Sequence, residues 1–240
     1  GSGSRAGDPG RAGELSVLLA ARAANPLVRW SYFVEEWDRI EEALLQHIQL
    51  TLLAVAAGFV VSAGLATLGL RYRWSVGPIT LFAAALYTIP SVAFFGVLVS
   101  YLGLGLLTAL IPLTAFTILV LVTNIMDGFE SVPAPVREAA DGMGLTRTQR
   151  LFTVEVPIAV PYIINGLRIA TVTTVGLVTV AAIIGYGGLG RLILDGLRRT
   201  FWTPLTIGAS LSILLALLFD LLFYLLGAWL TPWAKRRQAL

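Results

Sequence analysis

Cysteine is absent from the 240 residues, and histidine occurs once, at His47. The first absence excludes a disulfide framework, thiol catalysis and Cys-ligated zinc or iron–sulfur sites. The second excludes a His-rich metal centre, and no metal site is expected. Charge is also scarce, at 13% of residues, where a soluble domain carries about 25%. Apolar residues reach 57% and the mean hydropathy is +0.82. Such a chain cannot cover a globule with polar groups, which excludes a water-soluble enzyme; disorder is excluded by the same apolar content. No Walker A pattern occurs, so any ATP that drives this protein is hydrolysed by another chain. The formal charge of +3 and the pI near 9.5 do not point to nucleic acid, because the basic residues are scattered between long apolar runs.

Those runs carry the fold. A membrane-crossing helix needs about 20 apolar residues. Ile48–Leu70 is free of charge and is closed by Arg71 and Arg73, which predicts a span over about 48–70. Trp74–Met126 is again uncharged, at 53 residues, too long for one span. The turn signal Tyr101-Leu-Gly-Leu-Gly105 divides it into spans at about 78–100 and 105–126. A polar stretch, 127–157, follows. A fourth span is expected over about 161–184 and carries Arg168; a fifth over about 204–229 carries Asp220. The expectation is an all-α integral membrane protein with five core transmembrane helices, occupying 47–234.

Residues 1–26, rich in Gly and Ser, read as a flexible lead or a cloning remnant. In 27–46, Phe33, Trp37, Ile40 and Leu44 recur at i, i+4, i+7 and i+11 among acidic residues, which predicts an amphipathic lead-in helix at the interface. Residues 235–240 form a basic tail. With Arg71 and Arg73 in the cytoplasm, alternation places 127–157 and the C-terminus there and the N-terminus outside. Arg137, Arg147, Arg150 and the tail's Lys235, Arg236 and Arg237 then also lie inside, against Arg39, Arg191, Arg198 and Arg199 outside, in keeping with the positive-inside bias. Arg5, Arg11, Arg22 and Arg29 in the long N-terminal tail weaken that bias.

The 127–157 stretch has its own grammar. Pro133 and Pro135 open a short helix. Gly142 and Gly144 end it, and Thr146-x-x-Gln149 caps a second helix that Pro157 should stop. Ala139 and Ala140 offer a small face suited to docking. Glu138-Ala-Ala, three residues, Gly144, nine residues, then Val154-x-Val156-Pro157 resembles the EAA loop of binding-protein-dependent ABC importer permeases, with valines in place of the family's Ile and Leu. Gln46–Leu52, Thr88-Ile-Pro-Ser91, Ala139–Gly144, Gln149–Leu151, Val154–Pro157 and Ile184–Gly190 further resemble the glycine betaine, carnitine and choline permeases, over about residues 40–230.

The resemblance implies a permease subunit in the bacterial inner membrane that performs no chemistry. Its EAA loop would act as a cytoplasmic coupling helix, docking a partner ABC ATPase through Glu138, Ala139, Ala140, Gly142, Gly144, Leu145 and Pro157. ATP and Mg would be bound on that partner, with no cofactor on this chain. A second copy or a sibling permease would complete the path, and an extracellular or periplasmic substrate-binding protein would deliver the solute.

Path or gate candidates are Pro90 and Ser91, where proline breaks the second span, together with Asn124 and Asp220, polar groups inside apolar runs. Arg168 matches Asp220 by type. His47, at the start of the first span, is expected at the interface. Gly58, Ala63, Gly64, Gly69, Gly96, Gly176 and Gly208 suit close helix packing. Gly185, Gly187, Gly188 and Gly190 form a flexible turn outside the fourth span, a candidate hinge or binding-protein contact. That turn also fits GxGxxG, but no βαβ unit surrounds it, so a dinucleotide site is rejected. The short-helix pair mimics a helix-turn-helix, but with three arginines against three acids it lacks a basic footprint, and no nucleic-acid partner is expected. Alternatives are import of another small solute such as an amino acid, a secondary transporter or channel, which usually needs intramembrane acids beyond Asp220, and a structural scaffold.

Overall fold

The computed structural model describes residues 27–232, and every regular element in them is helical. The expectations for 1–26 and 235–240 lie outside the described residues. In chain order the helices are α1 Trp30–Glu35, α2 Trp37–Arg71, α3 Val76–Thr88, α4 Ser91–Leu102 and α5 Leu106–Glu130. Next come α6 Ala134–Gly142, α7 Arg147–Arg150, α8 Val156–Val180, α9 Leu189–Arg199 and α10 Trp202–Leu230. A π-helical turn at Leu151–Glu155 joins α7 to α8, and a 3₁₀ turn at Ala181–Ile184 closes α8. Four helices, Trp37–Arg71, Leu106–Glu130, Arg147–Ile184 and Trp202–Leu230, are long and apolar enough to cross a membrane; α3 and α4 together make a fifth if counted as one span.

Three sequence expectations are corrected. The lead-in at 27–46 is not one separate helix. From Trp37 onward it is the end of α2, because nothing between Trp37 and Arg71 breaks the helix. Its Ile40 and Ala43 are buried with Leu189, Leu192 and Ile207 of α9 and α10. The span expected at 78–100 is two helices bent by 89°. The α region is disfavoured for a residue before proline; Ile89 is extended (φ −63°, ψ 125°) and Pro90 follows it (φ −58°, ψ 123°). Two extended residues in succession redirect the chain. Finally, Pro157 does not stop a helix. It stands at the start of α8, where a missing N–H costs little, and the wider π turn before it carries the helical path through.

Helices α5 and α8 form the centre. Helix α5 packs on α2, α3, α4 and α8; α8 packs on α2, α5 and α10; α9 wedges between α2 and α10. Lipid is as apolar as the side chains, so association relies on close packing rather than on burial from water. Glycines supply the closeness. A Cβ on Gly58 would overlap the Thr117 side chain. On Gly128 it would lie 3.0 Å from the Ala159 carbonyl oxygen, on Gly166 2.7 Å from Asn124 Cβ, and on Gly208 2.8 Å from the Leu189 carbonyl oxygen. Gly64, Gly96 and Gly176, by contrast, would meet nothing within 4 Å. Most of α10 faces outward: Leu214, Leu218, Leu222 and Leu225 are exposed, as a lipid-facing helix requires.

The contrast sets a test. Gly188 has a left-handed φ of 50°, and a Cβ there would lie 2.6 Å from His47 Cβ and 2.7 Å from the Ala43 carbonyl oxygen. Gly188→Ala should therefore destabilise the detergent-solubilised protein by about 2 kcal/mol or more. Gly64→Ala, in open space, should change stability by less than about 1 kcal/mol. Thermal unfolding of the two variants beside wild type checks the order.

Candidate functional site

The loop between α5 and α8 is a braced knob. Thr146 and Gln149 form both halves of a capping box: the Gln149 N–H donates to Thr146 Oγ1 (3.3 Å) and the Thr146 N–H to Gln149 Oε1 (2.9 Å). Gly144 takes φ 79°, the left-handed turn that ends α6. Arg150 then ties the parts together. Its Nη1 donates to both Asp141 carboxylate oxygens (2.7 and 2.6 Å), and its Nε to Glu155 Oε1 (2.9 Å). Arg137 lies 3.7 Å from the same Glu155 oxygen and donates to the Phe129 carbonyl at 2.5 Å. Charge-assisted bonds of this kind hold α6 and α7 to the ends of α5 and α8.

Of the residues singled out in the loop, Glu138, Ala139, Gly142 and Gly144 are exposed, Leu145 and Pro157 are half-buried, and Ala140 is buried. Ala140 therefore anchors the knob instead of lining its surface. Sequence reasoning overlooked Met143 and Phe152, which are 73% and 64% exposed. The signal available in the sequence was their place as large apolar residues within a polar loop, and Met suits adaptable protein contacts.

Halfway through the bundle, α8 carries a polar ridge. Arg168 lies 12 residues from either end of α8. It makes a bidentate pair with Asp220 of α10, Nε–Oδ1 2.5 Å and Nη2–Oδ2 2.6 Å, and its guanidinium sits 5.9 Å from the Tyr224 ring centre. Three residues before it, Asn165 donates to Asn124 Oδ1 of α5 at 3.3 Å. The structure thus brings together Asn124, Asn165, Arg168 and Asp220 along one side of α8. Both partners of the ion pair keep 37% of their side-chain surface open. Pro90 and Ser91 stand apart, at the bend between α3 and α4, with Pro90 exposed and Ser91 half-buried.

The glycine turn is a packed corner. Gly187, Gly188 and Gly190 are buried, and only Gly185 is exposed. A Cβ on Gly187 would overlap the Ala182 backbone, and one on Gly190 the Thr179 backbone. His47 is fully buried among the helices. Its Nε2 faces the Val175 carbonyl (3.0 Å) and so donates; its Nδ1 accepts from the Leu189 N–H (3.3 Å). That makes it a neutral imidazole bridging three helices. Gln46 Oε1 accepts from the Gly188 N–H at 3.0 Å. The corner is held this tightly because its backbone groups have no water to turn to.

Apolar spans, a charged pair halfway along α8 and a braced polar knob at one end describe an integral membrane subunit. The chain belongs to the family described as "Binding-protein-dependent transport system inner membrane component", whose model matches residues 54–235. It is 35% identical over 206 residues to the osmoprotectant import permease protein OsmW of Salmonella typhimurium strain LT2, covering 84% of this chain and 96% of that one. It is 29% identical over 188 residues to the glycine betaine/carnitine/choline transport system permease protein OpuCB of Bacillus subtilis strain 168, covering 78% and 86%. Its fold matches a solved chain of the inward-facing MetNI methionine ABC transporter, with a TM-score of 0.71 at 19% identity, over 82% of this chain and 98% of that one.

Two outcomes are expected from the buried polar groups. Arg168→Leu and Asp220→Leu should each lower thermostability in detergent, because each strands a charge in an apolar setting. The double replacement should recover most of the loss, and unfolding of the four proteins reads the cycle. His47→Ala removes partners from Val175 and Leu189 and should cost about 2–3 kcal/mol, measured by the same unfolding.

Proposed function

We propose that this chain is the permease of an ATP-driven importer for quaternary-ammonium osmoprotectants of the glycine betaine, carnitine and choline type. Two copies, or this chain with a sibling, enclose the path. An ABC ATPase binds the knob from the cytoplasm and holds ATP and Mg; an external binding protein captures the solute. The N-terminus lies outside and the C-terminus in the cytoplasm, following the bias in Arg and Lys.

The observation that carries the reading is the knob. Glu138, Ala139, Gly142 and Met143 present an exposed face, and the Arg150 bonds to Asp141 and Glu155 keep it from bending independently of α8. A push on such a body moves the helix below it. The likeness to osmoprotectant permeases at about one-third identity supports the solute class. The polar ridge of α8 and α10, with Asn124 and Asp220, supports a place for the path, because open polar groups at mid-depth need water, solute or a second subunit.

ATP-dependent uptake of labelled glycine betaine, carnitine and choline in proteoliposomes tests this, with the chain reconstituted beside its ATPase and binding protein. Wild type should import at least one of the three only with ATP. Glu138→Ala should reduce that uptake by about tenfold, the effect of truncating one strongly bound side chain at a docking face. Uptake without ATP would overturn the importer reading. ATP-driven import of other solutes alone would overturn the osmoprotectant assignment.

A further inference from the structure

We propose that a cavity at the knob end of the bundle binds an anionic phospholipid, with the headgroup phosphodiester on Arg71 and Arg147 and an acyl chain along α2. The cavity has a volume of about 860 Å³, within the range of small-molecule sites. Its walls come from one face of α2 with Arg73 just beyond it, the end of α5, Arg137 of α6, and the segment from α7 into α8. On α2 the lining residues are Phe59, Ala63, Thr67, Leu70 and Arg71, which fall at helical spacing. That wall runs 12 residues along the helix, about 18 Å. Ile125 of α5 and Ile163 of α8 add to its apolar part. The order along the wall, apolar within the bundle and then basic where the spans emerge, is the order of a lipid from tail to headgroup.

The charge at the mouth is not balanced. Arg71, Arg73, Arg137, Arg147 and Arg150 line it, with Glu130 and Glu155. Arg73 pairs with Glu130 at 2.7 Å, and Arg150 and Arg137 share Glu155, with Asp141 as a further partner of Arg150. Five guanidinium groups against three carboxylates leave two positive charges over. Among the described residues, Arg71 donates only to the Tyr72 hydroxyl (3.2 Å) and lies 5.5 Å from that ring's centre. Arg147 has no ion pair or side-chain hydrogen bond among the described residues. Both are exposed, and a guanidinium fork matches phosphate oxygens in pairs. Basic pockets between spans at the membrane boundary are suited to anionic lipid headgroups. The same excess repels a cation. Glu138, Ala139, Gly142 and Met143 do not line the cavity, whereas Phe152 does, so the cavity adjoins the knob's exposed face.

The test is lipid retention by the full-length chain in detergent, read by native mass spectrometry, with phosphatidylglycerol and phosphatidylcholine of equal chain length offered together. Wild type should retain phosphatidylglycerol over phosphatidylcholine by about tenfold, and R71Q/R147Q by less than about twofold, a difference of roughly one pair of charge-assisted contacts. R198Q/R199Q, at the opposite end of the bundle, should behave as wild type. Ala63→Trp, which fills the apolar wall, should lower retention with the arginines intact. The proposal is overturned if wild type shows no preference, or if R71Q/R147Q keeps it. It is also overturned if excess inorganic phosphate displaces the lipid completely, which would make this a site for free phosphate. Displacement by the ATPase chain would assign the cavity to that partner and overturn it equally.

Discussion

Inside a bilayer, pairing two helices withdraws no apolar surface from water, so this bundle depends on how closely its backbones approach. Helix α5 sits at the centre because small residues line its contacts. Gly58 lets α2 close on Thr117, Gly128 lets α5 close on Ala159, and Gly166 lets α8 close on Asn124. The corner before α9 shows the same constraint at its most severe. Gly188 lies so near α2 that its own amide reaches Gln46, and the neighbouring Leu189 amide reaches His47. A side chain at Gly188 would separate α9 from α2 and leave those amides in an apolar setting without partners.

The polar groups are placed by the same economy of space. Desolvated charge is costly alone and tolerable when paired and hydrogen-bonded. Arg168 and Asp220 meet as a bidentate pair, and the Asn124–Asn165 bond lies three residues away on α8. At the end of the bundle, Arg150 plays the corresponding part for the knob, in water and with two acids. Helical structure is continuous from Arg147 through the π turn to Ile184, so the braced knob and the mid-depth pair stand on one body. A knob joined by a flexible hinge would lack that property. The turn at Leu151–Glu155 is the irregular point, and it is also where Arg137 and Arg150 converge on Glu155.

What could be read from residue order was what local physics decides. Runs without charge mark spans, because a charged side chain is costly in hydrocarbon whatever its neighbours. Pro133, the Thr146–Gln149 box and Gly144 mark the short helices, since each acts within one turn of backbone. The break at Ile89-Pro90 was legible for the same reason, but its 89° angle was not, because the angle depends on how α3 and α4 pack on α5. Met143 and Phe152 went unnoticed because exposure is a property of the surroundings rather than of the residue type.

The sequence by itself determined an all-helical membrane protein, the number of its apolar runs, and a capped polar loop whose spacing marks its family. Each of these follows from interactions within a few residues of chain. Tertiary structure alone decided that Arg168 meets Asp220 across 52 residues, and that His47 bridges Val175 and Leu189. It alone turned a glycine-rich stretch, which reads as mobile, into a packed corner, and assembled the basic cavity from four separate segments. The reason is geometric: these contacts join residues far apart in the chain, and their distances are set by which helix faces come together, a choice that no local pattern records.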